Sequence, residues 1–279
     1  MKTRIIIVTH NSAVYTNWQL KNLESSDSDL DIVIVDSGSK DTTYLNNLES
    51  KHHCQVIYRD NIGFVDANNI VMNLDWDGDF FLLLNPDAMI EGKELDLFLK
   101  EVSYIKSERS DIAVYSVPLI KYDIKRMSPM TIYDSMGIKC NLYGRWIDIC
   151  QGKKIKKWNA DIISTEAICG AFMLIDRRKL YSINKINEKF GFDPNLKMYK
   201  EDIELCMRLK KYGFKSVILP KFKAYHCRGW DRKKVADWAR FYSAKNDLTI
   251  AIKYKYRALF FAILKYVVVS NKVKQRVIK

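Results

Sequence analysis

Four short polar segments in the first third of the chain have residue types that could bind a small polar ligand. In one-letter code they are THNS at residues 9–12, DSGSKD at 36–41, DNIGF at 60–64 and NPD at 85–87. Their carboxylate, amide and hydroxyl groups can accept hydrogen bonds from the N–H and hydroxyl groups of a ligand. Each segment alone is explained equally well by a turn, which is the commoner role of Asp, Asn and Gly.

Each polar segment follows an apolar run, and these runs predict buried β-strands that alternate with helices. Strands are predicted over residues 4–9, 31–36, 55–59 and 80–84, and helices over residues 14–23, 42–50 and 65–74. This alternation is typical of βαβ units in a parallel sheet that is buried on both faces. Ligands bind beyond the carboxyl ends of the strands in such sheets. The four polar segments therefore predict a binding crevice at one edge of one sheet.

The second half of the chain has a less regular pattern. Residues 116–164 predict loops over the sheet, with a role in binding an acceptor. Beyond them we predict a strand over residues 166–176, a helix over 200–212, a strand over 216–219 and helices near 234–254 and 256–269. We find no internal repeat and no clear linker. The predicted division is a main domain over residues 1–230 and a basic helical region over residues 231–279.

Two common nucleotide-binding motifs are absent, namely GxGxxG after the first strand and GxxxxGK[ST]. The motifs VTHNS, VDSGSKD, NIGFVDANN, LLLNPDA, CGAFMLIDRR, GFDPNLKMYKEDIELCMRLKKYGFK and YHCRG follow one another in that order. Their joint order and spacing resemble glycosyltransferase family 2, and most of all the rhamnosyltransferase-like enzymes of bacterial surface polysaccharide synthesis. The resemblance covers about residues 3–250.

The resemblance implies a GT-A fold, which is an α/β, Rossmann-like, mostly parallel central sheet flanked by helices, here with a C-terminal helical appendage. Residues 1–115 would bind the nucleotide sugar, and residues 116–230 would bind the acceptor and catalyse transfer. The implied reaction moves a sugar from a nucleoside diphosphate to a hydroxyl of a saccharide or lipid-linked saccharide, with inversion. A dTDP-linked rhamnose is the favoured donor, and UDP-linked sugars come next.

The resemblance also implies which residues contact the donor. They are Thr9, Asn11, Asp36, Ser39, Asn61, Gly63, Asn85, Asp87, Gly170 and Arg228. A carboxylate such as Asp36 can accept hydrogen bonds from a pyrimidine N3–H or from ribose hydroxyls. Asp41, by contrast, precedes a predicted helix and is better explained as its N-cap.

A divalent cation would offset the charge of the departing diphosphate, and carboxylate oxygen suits Mg²⁺ or Mn²⁺. GT-A enzymes usually carry Asp-x-Asp at this point, but here Asn85 replaces the first Asp. Asp87 is then the anionic ligand, and the resemblance implies His226 as a second contact to the metal or diphosphate. A lone His is more often structural than a ligand. Arg228 could bind phosphate directly.

Glu201 and Asp202, called the acid pair below, open the predicted helix over residues 200–212. Two carboxylates at a helix N-terminus also complement the helix dipole, which is the structural alternative. The resemblance implies that Asp202 is the general base for the acceptor hydroxyl. Glu201 would bind the acceptor or orient the site.

The net charge of +13 on 279 residues is unevenly distributed. Residues 210–279 carry a net charge of +16, while residues 1–209 carry −3. Residues 253–279 combine apolar side chains with flanking Lys and Arg, which predicts a helix on an anionic membrane surface. The alternatives are a terminal helix packed on the domain or on a second copy in a homodimer.

The chain lacks a signal-peptide pattern, and none of its six cysteines forms a CxxC pair. We therefore predict a cytoplasmic protein, peripheral on the inner face of the plasma membrane, without a zinc cluster. A nucleic-acid-binding protein would use the basic C-terminus, but the acidic body argues against it. A nucleotidyltransferase would need more carboxylates around its metal than Asp87 alone. A non-catalytic relative is the remaining alternative because of Asn85.

Overall fold

Alternating strands and helices build most of the chain, and a computed structural model describes residues 1–52, 54–184, 190–228 and 236–277. The strands are β1 (Thr3–Thr9), β2 (Leu30–Ser37), β3 (Gln55–Arg59), β4 (Phe80–Leu84), β5 (Ala88–Met89), β6 (Ile112–Ser116), β7 (Leu119–Asp123), β8 (Ser128–Ser135), β9 (Ile138–Cys140), β10 (Trp146–Asp148), β11 (Ile163–Thr165), β12 (Phe172–Asp176), β13 (Lys215–Ile218) and β14 (Ala224–His226). The helices are α1 (Ala13–Leu23), α2 (Thr43–His52), α3 (Gly63–Met72), α4 (Gly92–Glu108), α5 (Arg177–Asn184), α6 (Glu201–Lys211), α7 (Asp237–Tyr254) and α8 (Leu259–Val277).

The central sheet has the strand order β11-β13-β6-β12-β4-β1-β2-β3. The pairs β1–β2, β1–β4, β2–β3 and β6–β13 are parallel, whereas β12 is antiparallel to both of its neighbours and β11 is antiparallel to β13. Parallel neighbours need a crossover connection, which α1, α2 and α3 supply in the first half. The predicted mostly parallel sheet flanked by helices is confirmed.

Both faces of the central sheet are buried, as its continuous apolar runs predict. Ile6 packs in one hydrophobic cluster, while Ile5 and Ile7 pack in a second cluster on the other face. Phe81 and Phe80 divide between the two clusters in the same way along β4. This alternation follows from the two-residue period of a strand. The polar segments at the strand ends are therefore held on a rigid edge.

The prediction of loops over residues 116–164 was wrong. This segment contains β7, β8, β9, β10 and β11. A second sheet has the order β5-β14-β7-β8, and β9 pairs with β10 in a hairpin. The strands are short and are stabilised by distant partners, so local sequence gives little sign of them.

Other boundaries also differ from the predictions. The strand predicted over residues 166–176 begins only at Phe172, and the last helix extends to Val277 instead of ending near residue 269. A short 3₁₀ segment, Tyr256–Ala258, separates α7 from α8. Helix α7 packs against both α8 and α6.

Candidate active site

A cleft of about 400 Å³ lies where β4 ends and β12 begins. Its lining comprises Phe64, Asn85, Asp87, Cys169, Gly170, Ala171, Met198, Tyr199, Glu201, Asp202, His226 and Arg228. Every residue predicted for proton transfer, metal binding or phosphate contact is in this set. The tertiary fold thus brings together residues from sequence positions more than 100 apart.

The turn after β4 is fixed from two sides. The buried side chain of Gln19, on α1, donates hydrogen bonds of 2.6 Å to the carbonyl oxygens of Asn85 and Ala88. On the other side, β14 pairs antiparallel with β5, with His226 opposite Ala88. This register brings His226 Nε2 to 3.4 Å from Oδ1 of Asp87.

Two carboxylates that sequence reasoning missed hold His226 and Arg228. The fully buried Asp134, on β8, accepts hydrogen bonds from His226 Nδ1 at 2.8 Å and from Arg228 Nη1 at 3.1 Å. Asp148, on β10, accepts a further bond of 2.8 Å from Arg228 Nη2. Asp134 follows a Tyr in β8, and nothing in the neighbouring sequence indicates that it binds His226 and Arg228. The wrongly predicted middle segment is therefore what orients the two cations.

Burial and these carboxylates act in opposite directions on the charge of His226. Burial lowers its pKa, but the hydrogen bond with Asp134 and the proximity of Asp87 outweigh burial and raise the pKa to about 9. Burial raises the pKa of Asp134, but the bonds and charges of His226 and Arg228 reverse this and lower it. Without a metal ion, His226 and Arg228 are thus both cationic at neutral pH, which suits contact with a diphosphate. A metal ion bound at Nε2 of His226 would displace the proton from that nitrogen.

The acid pair opens α6 and also lines the cleft. Asp202 accepts backbone hydrogen bonds at Oδ2 from Gly170, 3.0 Å away, and at Oδ1 from Ile203. A Cβ atom on Gly170 would lie 3.4 Å from Cβ of Asp202, which is an ordinary van der Waals distance, so the backbone of Gly170 packs directly against this side chain. Glu201 is only 8% exposed, and its Oε2 has no hydrogen-bond partner among the described residues.

Burial sets the protonation of the acid pair. Burial, with a smaller contribution from the charge of Asp202, raises the pKa of Glu201 to about 8. The pKa of Asp202 is also raised, mainly by burial, although its bonds to Gly170 and Ile203 oppose this. A carboxylate whose pKa is raised toward neutral pH is a stronger base than an ordinary one. The helix-dipole alternative alone would not explain why the buried Glu201 and the half-buried Asp202 both line a cleft.

The other predicted donor residues lie outside this lining, at the carboxyl ends of β1, β2 and β3. The Ser39 side chain accepts a bond of 2.7 Å from the Asn11 backbone N–H, and its own N–H donates to Asp36 at 2.9 Å. Gly63 N–H donates to the hydroxyl of Ser37, and Asn61 lies against Gly38. These contacts give an ordered polar edge that continues from the cleft through Phe64.

Three of the residues considered for the donor site, Thr9, Asp36 and Asp41, have hydrogen-bond partners within the fold. The Thr9 hydroxyl is buried and lies 2.9 Å from the hydroxyl of Tyr44. Asp41 accepts bonds from the N–H and hydroxyl of Thr43, the first residue of α2, as predicted for a cap. Asp36 is 2% exposed, and its carboxylate binds Ser39.

Asp87 and His226 are suited to holding a divalent metal. No group of three or more His, Cys, Asp or Glu ligands occurs within the described ranges. However, Asp87 Oδ1 and His226 Nε2 converge at 3.4 Å, and Asp134 fixes the other ring nitrogen of His226. Metal-binding His residues usually have such a partner. Mg²⁺ and Mn²⁺ take further ligands from phosphate and water, so two protein ligands are sufficient.

Helix α8 exposes an apolar face. Phe260, Ile263, Leu264, Val267 and Val268 follow helical spacing and are 44–81% exposed. Over the part of the chain that the structure describes, no helix combines the length and apolar character needed to span a membrane.

The fold and parts of the sequence are similar to those of known proteins. The family model "Glycosyl transferase family 2" matches residues 4–183. The Rhamnosyltransferase WbbL of Escherichia coli K12 is 27% identical over 237 residues, which cover 82% of this chain and 84% of that protein. The solved structure of S. aureus TarS 1–349 has a TM-score of 0.58 at 15% identity and covers 96% of this chain and 71% of that one.

A second solved structure is the mannosyltransferase PcManGT of Pyrobaculum calidifontis, in complex with GDP-Man and Mn²⁺. It has a TM-score of 0.60 at 14% identity, and the match covers 97% of this chain and 73% of that one. At 15% and 14% identity, these two structures establish only that the fold is shared. The match to the family model, by contrast, is a similarity of sequence.

Proposed function

Since this chain belongs to glycosyl transferase family 2 and is a glycosyltransferase, we propose that its cleft transfers a sugar from a nucleoside diphosphate to an acceptor hydroxyl with inversion. One observation carries the proposal. The same cleft is lined by the acid pair and by Asp87, His226 and Arg228. A base and a binding site for a departing anion are the two requirements of such a displacement.

Asp202 is the base that takes the proton of the acceptor hydroxyl as the oxygen attacks the anomeric carbon. Its two bonds from backbone N–H groups fix the direction of the carboxylate without neutralising it. Glu201 shares the buried site, and its unpartnered Oε2 is suited to accept a hydrogen bond from the acceptor. The raised pKa of the acid pair favours proton uptake near neutral pH.

Arg228 binds the diphosphate as negative charge develops on it, and His226 contacts either the diphosphate, as a cation, or the metal, as a neutral ligand. Asp134 and Asp148 hold the guanidinium in place, so little reorganisation is needed during transfer. Asp87 and His226 would hold Mg²⁺ or Mn²⁺, which would neutralise further charge on the leaving group. Thr9, Asn11, Asp36, Ser39, Asn61, Gly63, Asn85 and Gly170 form the rest of the proposed donor site.

The donor and the cellular role are proposed from the relatives. The name of the WbbL relative supports rhamnose as the sugar, and dTDP-rhamnose is the first donor to test, ahead of UDP-linked sugars. The complex of PcManGT with GDP-Man and Mn²⁺ supports a nucleotide sugar with a divalent metal. The proposed acceptor is a saccharide or lipid-linked saccharide of bacterial surface polysaccharide synthesis.

We place the protein at the inner face of the plasma membrane through α8. The apolar face of this helix is exposed, and the cationic Arg257 and Lys272 are exposed at its two ends. This combination suits the interface of an anionic lipid surface. A lipid-linked acceptor would then be presented at the same surface.

The test is a screen of nucleotide sugars by thermal shift, with and without Mn²⁺, followed by product analysis with the donor that stabilises the protein. We expect release of a nucleoside diphosphate, with dTDP-rhamnose and Mn²⁺ giving the largest shift. Release of pyrophosphate would contradict the proposal and indicate nucleotidyl transfer. Absence of stabilisation by every nucleotide sugar would contradict it as well.

A further inference from the structure

The loop that precedes the acid pair has an uncommon backbone. Lys197, Tyr199 and Lys200 have φ angles of 53°, 67° and 69°. Residues other than glycine rarely adopt positive φ, and such a conformation persists only where surrounding contacts hold it. Met198 and Tyr199 line the cleft. The backbone of residues 196–200, called the loop below, therefore shapes the cleft directly.

Asn246, on α7, holds this loop from outside. Its Nδ2 donates hydrogen bonds to the carbonyl oxygens of Leu196 at 2.9 Å, Met198 at 2.9 Å and Tyr199 at 2.8 Å. The residue is fully buried. An amide nitrogen has two hydrogens, so two of the three carbonyls share one of them.

The two remaining carbonyls of the loop are also bound. The Lys197 oxygen accepts a bond of 3.3 Å from the Val65 N–H in the first turn of α3, and the Lys200 oxygen accepts one of 2.9 Å from Glu204 in α6. All five backbone carbonyls of the loop are thus satisfied, three of them by Asn246. The three bonds from Asn246 therefore hold the loop from a helix that is about 50 residues away in sequence.

Helix α7 contacts the chain on both sides of the loop as well. Lys253 Nζ lies 2.7 Å from Asp193 Oδ2, before the loop, and the Tyr254 hydroxyl donates a bond of 2.6 Å to Glu204, after it. These contacts fix the loop ends, while Asn246 fixes its middle.

We propose that Asn246 is a positioning residue for sugar transfer, which holds the loop so that the acid pair and Tyr199 face the acceptor. This inference rests on the proposed function of the cleft. Asn246 does not line the cleft, so it acts through the loop and not by contact with substrate. Displacement of catalytic groups by about 1 Å can lower a rate by about 100-fold.

The experiment compares Asn246→Ala and Asn246→Ser with Ile250→Val, a buried control on the same helix that makes no bond to the loop. We expect Asn246→Ala to lower kcat by about 10- to 100-fold with little change in donor KM. Amide hydrogen exchange in residues 196–200 should become faster. The rate–pH profile should move to lower pH, because water would reach the acid pair. Asn246→Ser keeps one donor and should give intermediate values.

Wild-type kcat and wild-type loop exchange in Asn246→Ala would overturn the proposal. An equal loss of kcat in Ile250→Val at matched thermal stability would also overturn it, because it would indicate general destabilisation. If Asn246→Ala does not fold, kcat and loop exchange are compared between Asn246→Ser, Ile250→Val and the wild type, and wild-type values in Asn246→Ser would overturn the proposal. If the wild-type protein transfers no sugar, the proposed function fails, while loop exchange still tests whether Asn246 holds the loop.

Discussion

Asp134 Oδ2 lies 2.8 Å from Nδ1 of His226, although the two residues are 92 positions apart in sequence. Both residues belong to the second sheet, Asp134 on β8 and His226 on β14, and the bond fixes the direction in which the other ring nitrogen points. The same carboxylate binds Arg228, so one buried anion organises two cations. The cationic wall of the cleft therefore depends on a strand that itself makes no part of the cleft lining.

Replacing Asp134 should damage both stability and metal response. Asp134→Ala leaves the buried His226 and the half-buried Arg228 without their shared partner, which should destabilise the fold by about 3–5 kcal/mol in urea unfolding. Asp134→Asn keeps the shape and should fold, but with weaker stimulation of transfer by Mn²⁺. Asp161→Ala, at an exposed position in the same segment, is the control and should behave as wild type. If Asp134→Ala were as stable as the wild type, the pairing of Asp134 with His226 and Arg228 would contribute nothing to the free energy of unfolding.

Asp202→Asn should separate binding from chemistry. The amide keeps the size of the side chain but cannot take the acceptor proton, so transfer should fall by at least about 100-fold. Binding of the nucleotide sugar, measured by calorimetry, should stay within about twofold of wild type, because the donor contacts are unchanged. Asp161→Asn again provides a control. Full transfer by Asp202→Asn would exclude this residue as the base.

Because of the acid pair, the transfer rate and the stability of the fold should change in opposite directions as pH rises. The transfer rate should rise with pH as the pair loses its proton. Burial is the main cause of the raised pKa of Asp202, and the charge of Asp148 adds to it, so Asp148→Asn should move the rising limb to lower pH. A kinetic profile between pH 5 and pH 9 would measure this shift. An unmoved limb would contradict the effect of Asp148 on the base.

The free energy of unfolding should respond to pH in the opposite direction from the transfer rate. The pKa of Glu201 is raised from 4.5 to about 8 on folding, so in this window the folded state binds a proton that the unfolded chain has lost. The free energy of unfolding should therefore decrease as pH rises through the window. Glu201→Gln should be more stable than wild type at pH 9, by on the order of 1–3 kcal/mol. Glu101→Gln, at a more exposed site, should show no such gain.

Membrane binding can be tested without shortening the chain. Truncation from residue 254 would remove the Tyr254 hydroxyl that binds Glu204 and would also disturb the loop over residues 196–200. Phe260→Glu instead places a charge at a position that is 81% exposed on the apolar face of α8. We expect it to lower cosedimentation with anionic vesicles at least about tenfold. Leu97→Glu, at an exposed position on α4, should bind like wild type. Equal binding of both variants would exclude this face as the docking surface.

The sequence by itself determined the first half of the sheet and indicated the residues of the proposed site. The continuous apolar runs of β1, β2 and β4 require burial on both faces, and a strand buried in this way must carry its polar residues at its ends. That reasoning places Asp36 at the carboxyl end of β2 and Asp87 just beyond the end of β4. The order of motifs then indicated the acid pair and His226.

Only the tertiary structure decided how these residues are held. Asp134, Asp148 and Asn246 act on partners that are distant in sequence, and nothing in their own neighbourhoods requires a partner. The second sheet was missed for the same reason, since its short strands are stable only when paired with remote ones. Hydrophobic periodicity is a local property that a sequence displays, whereas the partner of a buried polar group is fixed by which segments the fold brings together.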